Sequence, residues 1–294
     1  MTVDQLADVF VGTLVLGAIY ALVGIGIVIL FKATGMLNFA QGVFMVAGAS
    51  LFYWGVTGLS LHWTIALLLA AAMMAVIGVV VYFLLFRRLI GAELLPLVIL
   101  SLGIGVVGHM VLAFIWGPNV RLLPPVLGFD PVEFGGPFSA TKVEIFTVLV
   151  AVVIIGILEL SLQRTRVGVR MRAVADRPFL ASFVGVNVHA VSAAAWAISS
   201  LCAGVAGAAY AMRSTVDPVG INILGLVALP AVLLGGMDSI RGALVGGLLL
   251  ALLQNLASTL FGGEWSTVLA YVVLLAVLLV RPSGLFGKAE IARL

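Results

Sequence analysis

The sequence predicts an all-α protein, a polytopic bundle of eight to nine transmembrane helices, on three observations. Hydrophobic residues make up 63% of the 294-residue chain and charged residues only 9%, with a mean hydropathy of +1.29, whereas a water-soluble domain carries about 25% charged residues. Apolar runs recur along the whole length, each near the roughly 20 residues that a helix needs to cross a hydrocarbon core. The basic residues gather in alternate breaks between those runs, a pattern that sets orientation in a bilayer. No soluble core of this size hides so much apolar surface behind so few charges. Soluble enzymes, nucleic-acid binders and disordered chains are therefore excluded, and a net charge of +3 gives no reason to expect a nucleic-acid partner.

The runs place spans at 9–31, 39–58, 63–86, 95–116, 141–162, 190–212, 222–237, 242–261 and 265–281. Backbone groups left unsatisfied in lipid are costly, so runs of this length form helices, and the alternating ten-residue segments of a barrel are missing. Residues 1–8 hold Asp4 and Asp8 and no basic residue. They lack the positive start of a signal peptide, and the first run is expected to be a mature span. Segment 39–58 is the ambiguous one, because residues 32–42 are polar and interrupted by glycine. As a full span it gives nine crossings with the N-terminus outside, which suits the two acids; as a re-entrant segment it gives eight, with the N-terminus inside.

Placing the arginine-rich loop 163–189 in the cytoplasm puts twelve of the fifteen basic residues inside, among them Lys32, Arg87, Arg88, Arg241, Arg281, Lys288 and Arg293. Only Arg121, Lys142 and Arg213 stay outside, and the C-terminus is cytoplasmic. The longest outer loop, 117–140, holds half of the chain's ten prolines. It reads as a stiff connector, a lid or a docking surface, with one short element at most.

No catalytic constellation is present. His62, His109 and His189 lie in different segments, no Cys/His cluster has metal-ligand spacing, and no phosphate-cradling GxxxxGK[ST] loop occurs. The single cysteine, Cys202, sits among Ala and Gly as a small packing residue. The polar residues within spans are the candidates for a translocation path. Asn38 and Gln41 begin a helix after a glycine break, where free N–H groups face a solute or bond neighbouring helices. His109 lies mid-span, while Gln254, Asn255, Ser258 and Thr259 form two i, i+4 pairs expected to face the interior. Glu159 is expected to pair with Arg164 or another basic neighbour. Small pairs Gly17/Ala21, Gly204/Ala208 and Gly242/Gly246 allow close helix approach, within the bundle and at an interface between subunits.

Loop 163–189 alternates apolar and polar residues at helical spacing, so two short amphipathic helices are expected there. Asp176 would cap the second helix, Pro178 would stand in its first turn, and Gly185 and Asn187 would end it. Such a pair either rests on membrane lipid headgroups or docks a cytoplasmic motor.

Four segments resemble one family. Gly168, Arg172 and Ala173, followed by Ala181 and Gly185-Val-Asn187, are similar to the cytoplasmic coupling loop of ABC importer permeases for branched-chain amino acids. Gly35-Met-Leu-Asn-Phe-Ala-Gln-Gly42, Leu233 to Gly247, and Arg281-Pro-Ser-Gly-Leu-Phe-Gly287 resemble three further signatures of that family. The match is to the shorter, first of its two permease subunits and covers nearly the whole chain. Met237-Asp238 and Arg241 depart from it, where a second glycine and a proline are usual.

The resemblance implies a single permease domain over 1–294 that binds no cofactor itself. It implies a second homologous permease, two cytoplasmic ATPase subunits holding ATP and Mg, and a periplasmic or extracellular substrate-binding protein, in the bacterial inner membrane. Coupling to the ATPase falls to Arg170, Met171, Arg172, Ala173, Asp176, Phe179, Phe183, Gly185 and Asn187. The scaffold also suits urea, short amides or another small solute. A stand-alone secondary transporter or channel would need intramembrane charges, which the mid-span regions lack.

Overall fold

The computed structural model describes residues 2–128, 130–213, 215–281 and 283–287. Lys288, Arg293 and Pro282 of the cytoplasmic tally and the C-terminal motif lie outside the described residues. The helices are α1 (Val3–Thr34), α2 (Gln41–Tyr53), α3 (Trp63–Val81), α4 (Leu94–Trp116), α5 (Lys142–Arg164), α6 (Arg166–Asp176), α7 (Pro178–Phe183), α8 (Val188–Ala211), α9 (Pro218–Gly235), α10 (Ile240–Phe261) and α11 (Gly263–Val280). Single π-helical turns extend α2 through Gly58 and α3 through Phe86. Among the described residues, eight helices are long and apolar enough to cross a membrane. Helix α2 with its π-turn is not among them; it packs inside the bundle against α8 and α9.

Local chemistry sets the helix ends. Thr2 with Gln5, and Thr141 with Glu144, form capping boxes at the starts of α1 and α5. Asp217 and Ser239 cap α9 and α10 with their side chains, and Pro218 occupies the first turn of α9. That Asp-Pro start carries α9 four residues earlier than the apolar run alone suggests. Gly35, at φ +70°, closes α1 in the left-handed region.

Helices α1, α2, α8 and α9 form the centre, with α10 packed along α1; α3, α4, α5 and α11 turn most of their surface outward. Glycines set the spacing. A Cβ on Gly48 would strike the backbone of Gly204, one on Gly242 the backbone of Gly235, and one on Gly17 the Leu248 side chain. The small-residue pairs expected from sequence make close contacts inside this chain. Helices in lipid gain little from burying apolar surface, so close backbone approach supplies the packing.

The two ends of the bundle differ. At one end Phe10 stacks edge-on with Phe138 at 6.1 Å, and Arg213 pairs with Glu144 at 3.0 Å. Loop 117–140 is more ordered here than expected: β1 (Arg121–Leu122) pairs with β4 (Thr215–Val216), and β2 (Pro131–Glu133) with β3 (Ser139–Thr141). At the opposite end Lys32 donates to the Asp238 carbonyl at 3.0 Å. There the Leu285 and Phe286 N–H groups bond the carbonyls of Leu234 and Gly235. The start of α1 therefore shares an end with the proline-rich loop, while α6, α7 and the close of α11 occupy the other.

Candidate functional site

Between α1 and α2 the chain turns back into the bundle without helical hydrogen bonds. Non-helical backbone at that depth survives only where protein satisfies its polar groups. Three side chains do so. Asn38 accepts from the Ala40 N–H at 3.0 Å and donates to Gln41 Oε1 at 3.0 Å. Gln41 Nε2 donates to the Ser199 carbonyl of α8 at 3.2 Å. The Phe39 N–H donates to Ser101 Oγ of α4 at 3.3 Å. Asn38 and Gln41 are fully buried, and in this conformation their polar atoms hold the helix break in shape.

The polar residues assigned to a path fall on two sides of α9. On one side, a pocket of about 300 Å³ is walled by Phe39, His109, Met110, Asn222 and Leu226. On the other, a pocket of about 350 Å³ includes Gln254, Asn255, Tyr20 and Arg213. Tyr20 Oη donates to Gln254 Oε1 at 2.7 Å, and Asn255 Nδ2 donates to Thr13 Oγ1 at 3.4 Å. Gln254 and Asn255 therefore do not meet Asn38, Gln41 or His109. Ser258 and Thr259 are exposed, contrary to the expected interior pairs. Sequence reading missed Tyr20, Ser101 and Ser199; single polar groups in apolar runs carry no pattern, and one of these bonds is made by a backbone carbonyl. Among the described residues no group of three His, Cys, Asp or Glu side chains lies close enough for a metal.

The arginine-rich segment folds as two short helices, α6 and α7, with corrected boundaries. Asp176 ends α6 instead of capping α7, whose first residue is Pro178 after an extended Arg177. Gly185 takes the left-handed conformation at φ +81°, as a helix-ending glycine does. Asn187 instead starts α8, its Oδ1 accepting from the Ala190 N–H at 3.0 Å. The cause is the Gly185–Val186 turn, which leaves Asn187 at the next helix's cap position.

The expected apolar stripe is divided. Met171 and Val174 are buried in the chain's own core, and Ala181 with them. Arg172 Nη1 donates to the Leu162 carbonyl at 2.8 Å, and Gly168 lies so close to that carbonyl that no side chain fits. These contacts clamp α6 to the end of α5. Phe179 and Phe183, each 72% exposed, stack edge-on at 4.8 Å, with Leu180 and Val184 exposed beside them. Arg170 and Asp176 are exposed and Ala173 half-buried.

A bundle whose outward surfaces are apolar, built of helices long enough to cross a bilayer, is a multi-pass membrane protein. A family model described as "Branched-chain amino acid transport system / permease component" matches residues 9–278, and the chain belongs to that family. The high-affinity branched-chain amino acid transport system permease protein BraD of Pseudomonas aeruginosa is 28% identical over 96% of this chain and 96% of its own length. The corresponding permease protein LivH of Escherichia coli is 28% identical over 95% of this chain and 94% of its own. The nucleoside ABC transporter permease protein NupC of Lactococcus lactis is 31% identical over 48% of this chain and 43% of its own. No solved structure matches. The chain is a transport subunit of an ABC-type system and not an enzyme.

Proposed function

We propose that this chain carries leucine, isoleucine, valine or related amino acids across the bacterial inner membrane, as one of two homologous permeases driven by two cytoplasmic ATPase subunits. The observation that carries the reading is the family match over 9–278 together with the near full-length likeness to the two branched-chain amino acid permeases. The end bearing α6 and α7 faces the cytoplasm, since the arginines cluster there. The exposed pair Phe179 and Phe183 enters a cleft on the ATPase, and α6, clamped to α5 by Gly168 and Arg172, passes ATPase closure to the bundle. Alternating access follows as the helices around the break at Asn38 and Gln41 shift against α8 and α9. A substrate-binding protein delivers solute at the proline-loop end. ATP and Mg belong to the ATPases.

The test is uptake in proteoliposomes holding this chain, its partner permease, the ATPases and the binding protein. ATP-dependent uptake of radiolabelled leucine that urea does not match is the expected result. Uptake of urea without leucine would refute the amino acid assignment, and leucine uptake that needs no ATP would refute the ABC mechanism.

A further inference from the structure

Three buried polar atoms line one small cavity at the proline-loop end, and none has a hydrogen-bond partner: Ser50 Oγ, His109 Nδ1 and Arg121 Nε. Ser50 is 1% exposed. Arg121 opens β1, which β4 holds in place, and its guanidinium lies 5.2 Å from the centre of the Tyr53 ring. Among the described residues no acid pairs with it. Burial lowers its pKa from the ordinary arginine value, with Tyr53 opposing the shift, and a guanidinium still stays charged in a protein. A half-buried cation with no counter-ion, beside an orphan hydroxyl and an orphan imidazole nitrogen, is costly unless something answers them.

The cavity measures about 10 Å³, the room of one water or one carboxylate oxygen. His109 also lines the neighbouring 300 Å³ pocket, whose other walls are largely apolar, with Phe39, Leu102, Val106 and Met110 among them. A cationic, hydrogen-bonding corner thus adjoins an apolar chamber through one shared side chain. That is the complement of a solute with a carboxylate at one end and a branched hydrocarbon at the other.

We infer that Arg121, His109 and Ser50 hold the carboxylate of the transported amino acid on the side where it arrives, with its side chain in the chamber against Phe39 and Met110. The side-chain half of this inference rests on the proposed function; the carboxylate half rests on the three unpartnered atoms. Arg121 supplies the charge, Ser50 and His109 the further donors, with Nδ1 protonated.

The test uses the assembled transporter in proteoliposomes. Arg121→Gln should lower leucine uptake roughly tenfold or more, the size of a lost hydrogen bond to a charged group, while the subunits still co-purify; Arg121→Lys should keep part of the uptake. Leucine uptake within about twofold of wild type for both Arg121→Gln and His109→Ala overturns the site and leaves the proposed function standing. Failure of the wild-type transporter to import leucine overturns the proposed function instead, and a second measurement then decides the site. In a Cys202→Ser, Met110→Cys background, a sulfonate-bearing methanethiosulfonate should label faster than its trimethylammonium analogue, and Arg121→Gln should abolish that preference. L-leucine should slow labelling where L-leucinamide does not. Equal rates for the two reagents with Arg121 intact, or equal protection by leucinamide, overturn the carboxylate site and leave a cavity that holds only water.

Discussion

Arg241 Nε donates to Glu159 Oε1 at 2.8 Å, joining the first turn of α10 to the last turns of α5. Gln163 Nε2 donates to the same oxygen at 2.9 Å. A basic residue in a helix's first turn opposes the helix dipole, and the carboxylate of Glu159 offsets that. The residue that departs from the family pattern, where proline is usual, thus serves a contact between helices distant in sequence.

The pair should nevertheless contribute little stability. The Arg241 side chain is 74% exposed, and solvent screens it. A double-mutant cycle with Arg241→Ala and Glu159→Ala should give a coupling of about 0.2–1 kcal/mol, the range for exposed pairs, read from thermal unfolding in detergent. A coupling well above that range would mean the pair is shielded in the assembled state.

Gly168 is a sharper test of the local fold. A methyl group there would collide with the Leu162 carbonyl, the same carbonyl that accepts from Arg172. Overpacking of this kind costs about 1–3 kcal/mol. Gly168→Ala should therefore loosen α6 from α5 and depress ATP-driven uptake, with the spans still inserted. Wild-type uptake by Gly168→Ala would show that the clamp is not part of coupling.

The spans were legible in the sequence because each is a long apolar run, and their ends fall within a few residues of the helices except at α1, whose Thr2–Gln5 capping box extends it to Val3, and at α9, where Asp217-Pro218 starts the helix early. The pair of short helices in 163–189 was legible as well, from the Pro178 break and Gly185. What periodicity did not reveal is which side of α6 the protein itself covers. Met171 and Phe179 share a hydrophobic pattern, but the clamp at Gly168 turns Met171 inward while Pro178 redirects α7 outward. The pairing of β1 with β4 joins residues 121–122 to 215–216, too short and too distant for any local signal.

Placing the N-terminus and α7 at opposite ends leads to a labelling experiment. Cys202 is fully buried, so Cys202→Ser removes the native thiol at little cost in shape. Asp4→Cys should then react with a membrane-impermeant maleimide in spheroplasts, and Ser182→Cys only in inside-out vesicles; both positions are exposed. Labelling of both from one side would refute the nine-crossing reading, and the reversed pattern would refute the cytoplasmic placement of α7.

Met171 and Phe183 separate packing from docking. Met171 is 2% exposed and Phe183 72%. Truncating a buried methionine leaves a cavity and costs about 2–5 kcal/mol, so Met171→Ala should lower the unfolding temperature and reduce uptake in proportion to folded protein. Phe183→Ala removes little internal contact and should leave that temperature unchanged. If Phe183 anchors in a cleft of the ATPase, its loss costs about 2 kcal/mol or more of binding, enough to abolish ATP-driven uptake and weaken ATPase co-purification. Phe179→Ala should act the same way, since its ring buttresses Phe183 edge-on. Arg164→Ala, at the end of α5 and exposed, should be milder and act through headgroup attraction and orientation. Wild-type uptake and ATPase binding in Phe183→Ala, with both lost in Arg164→Ala, would reverse the assignment, and α7 would then be a segment that rests on lipid headgroups.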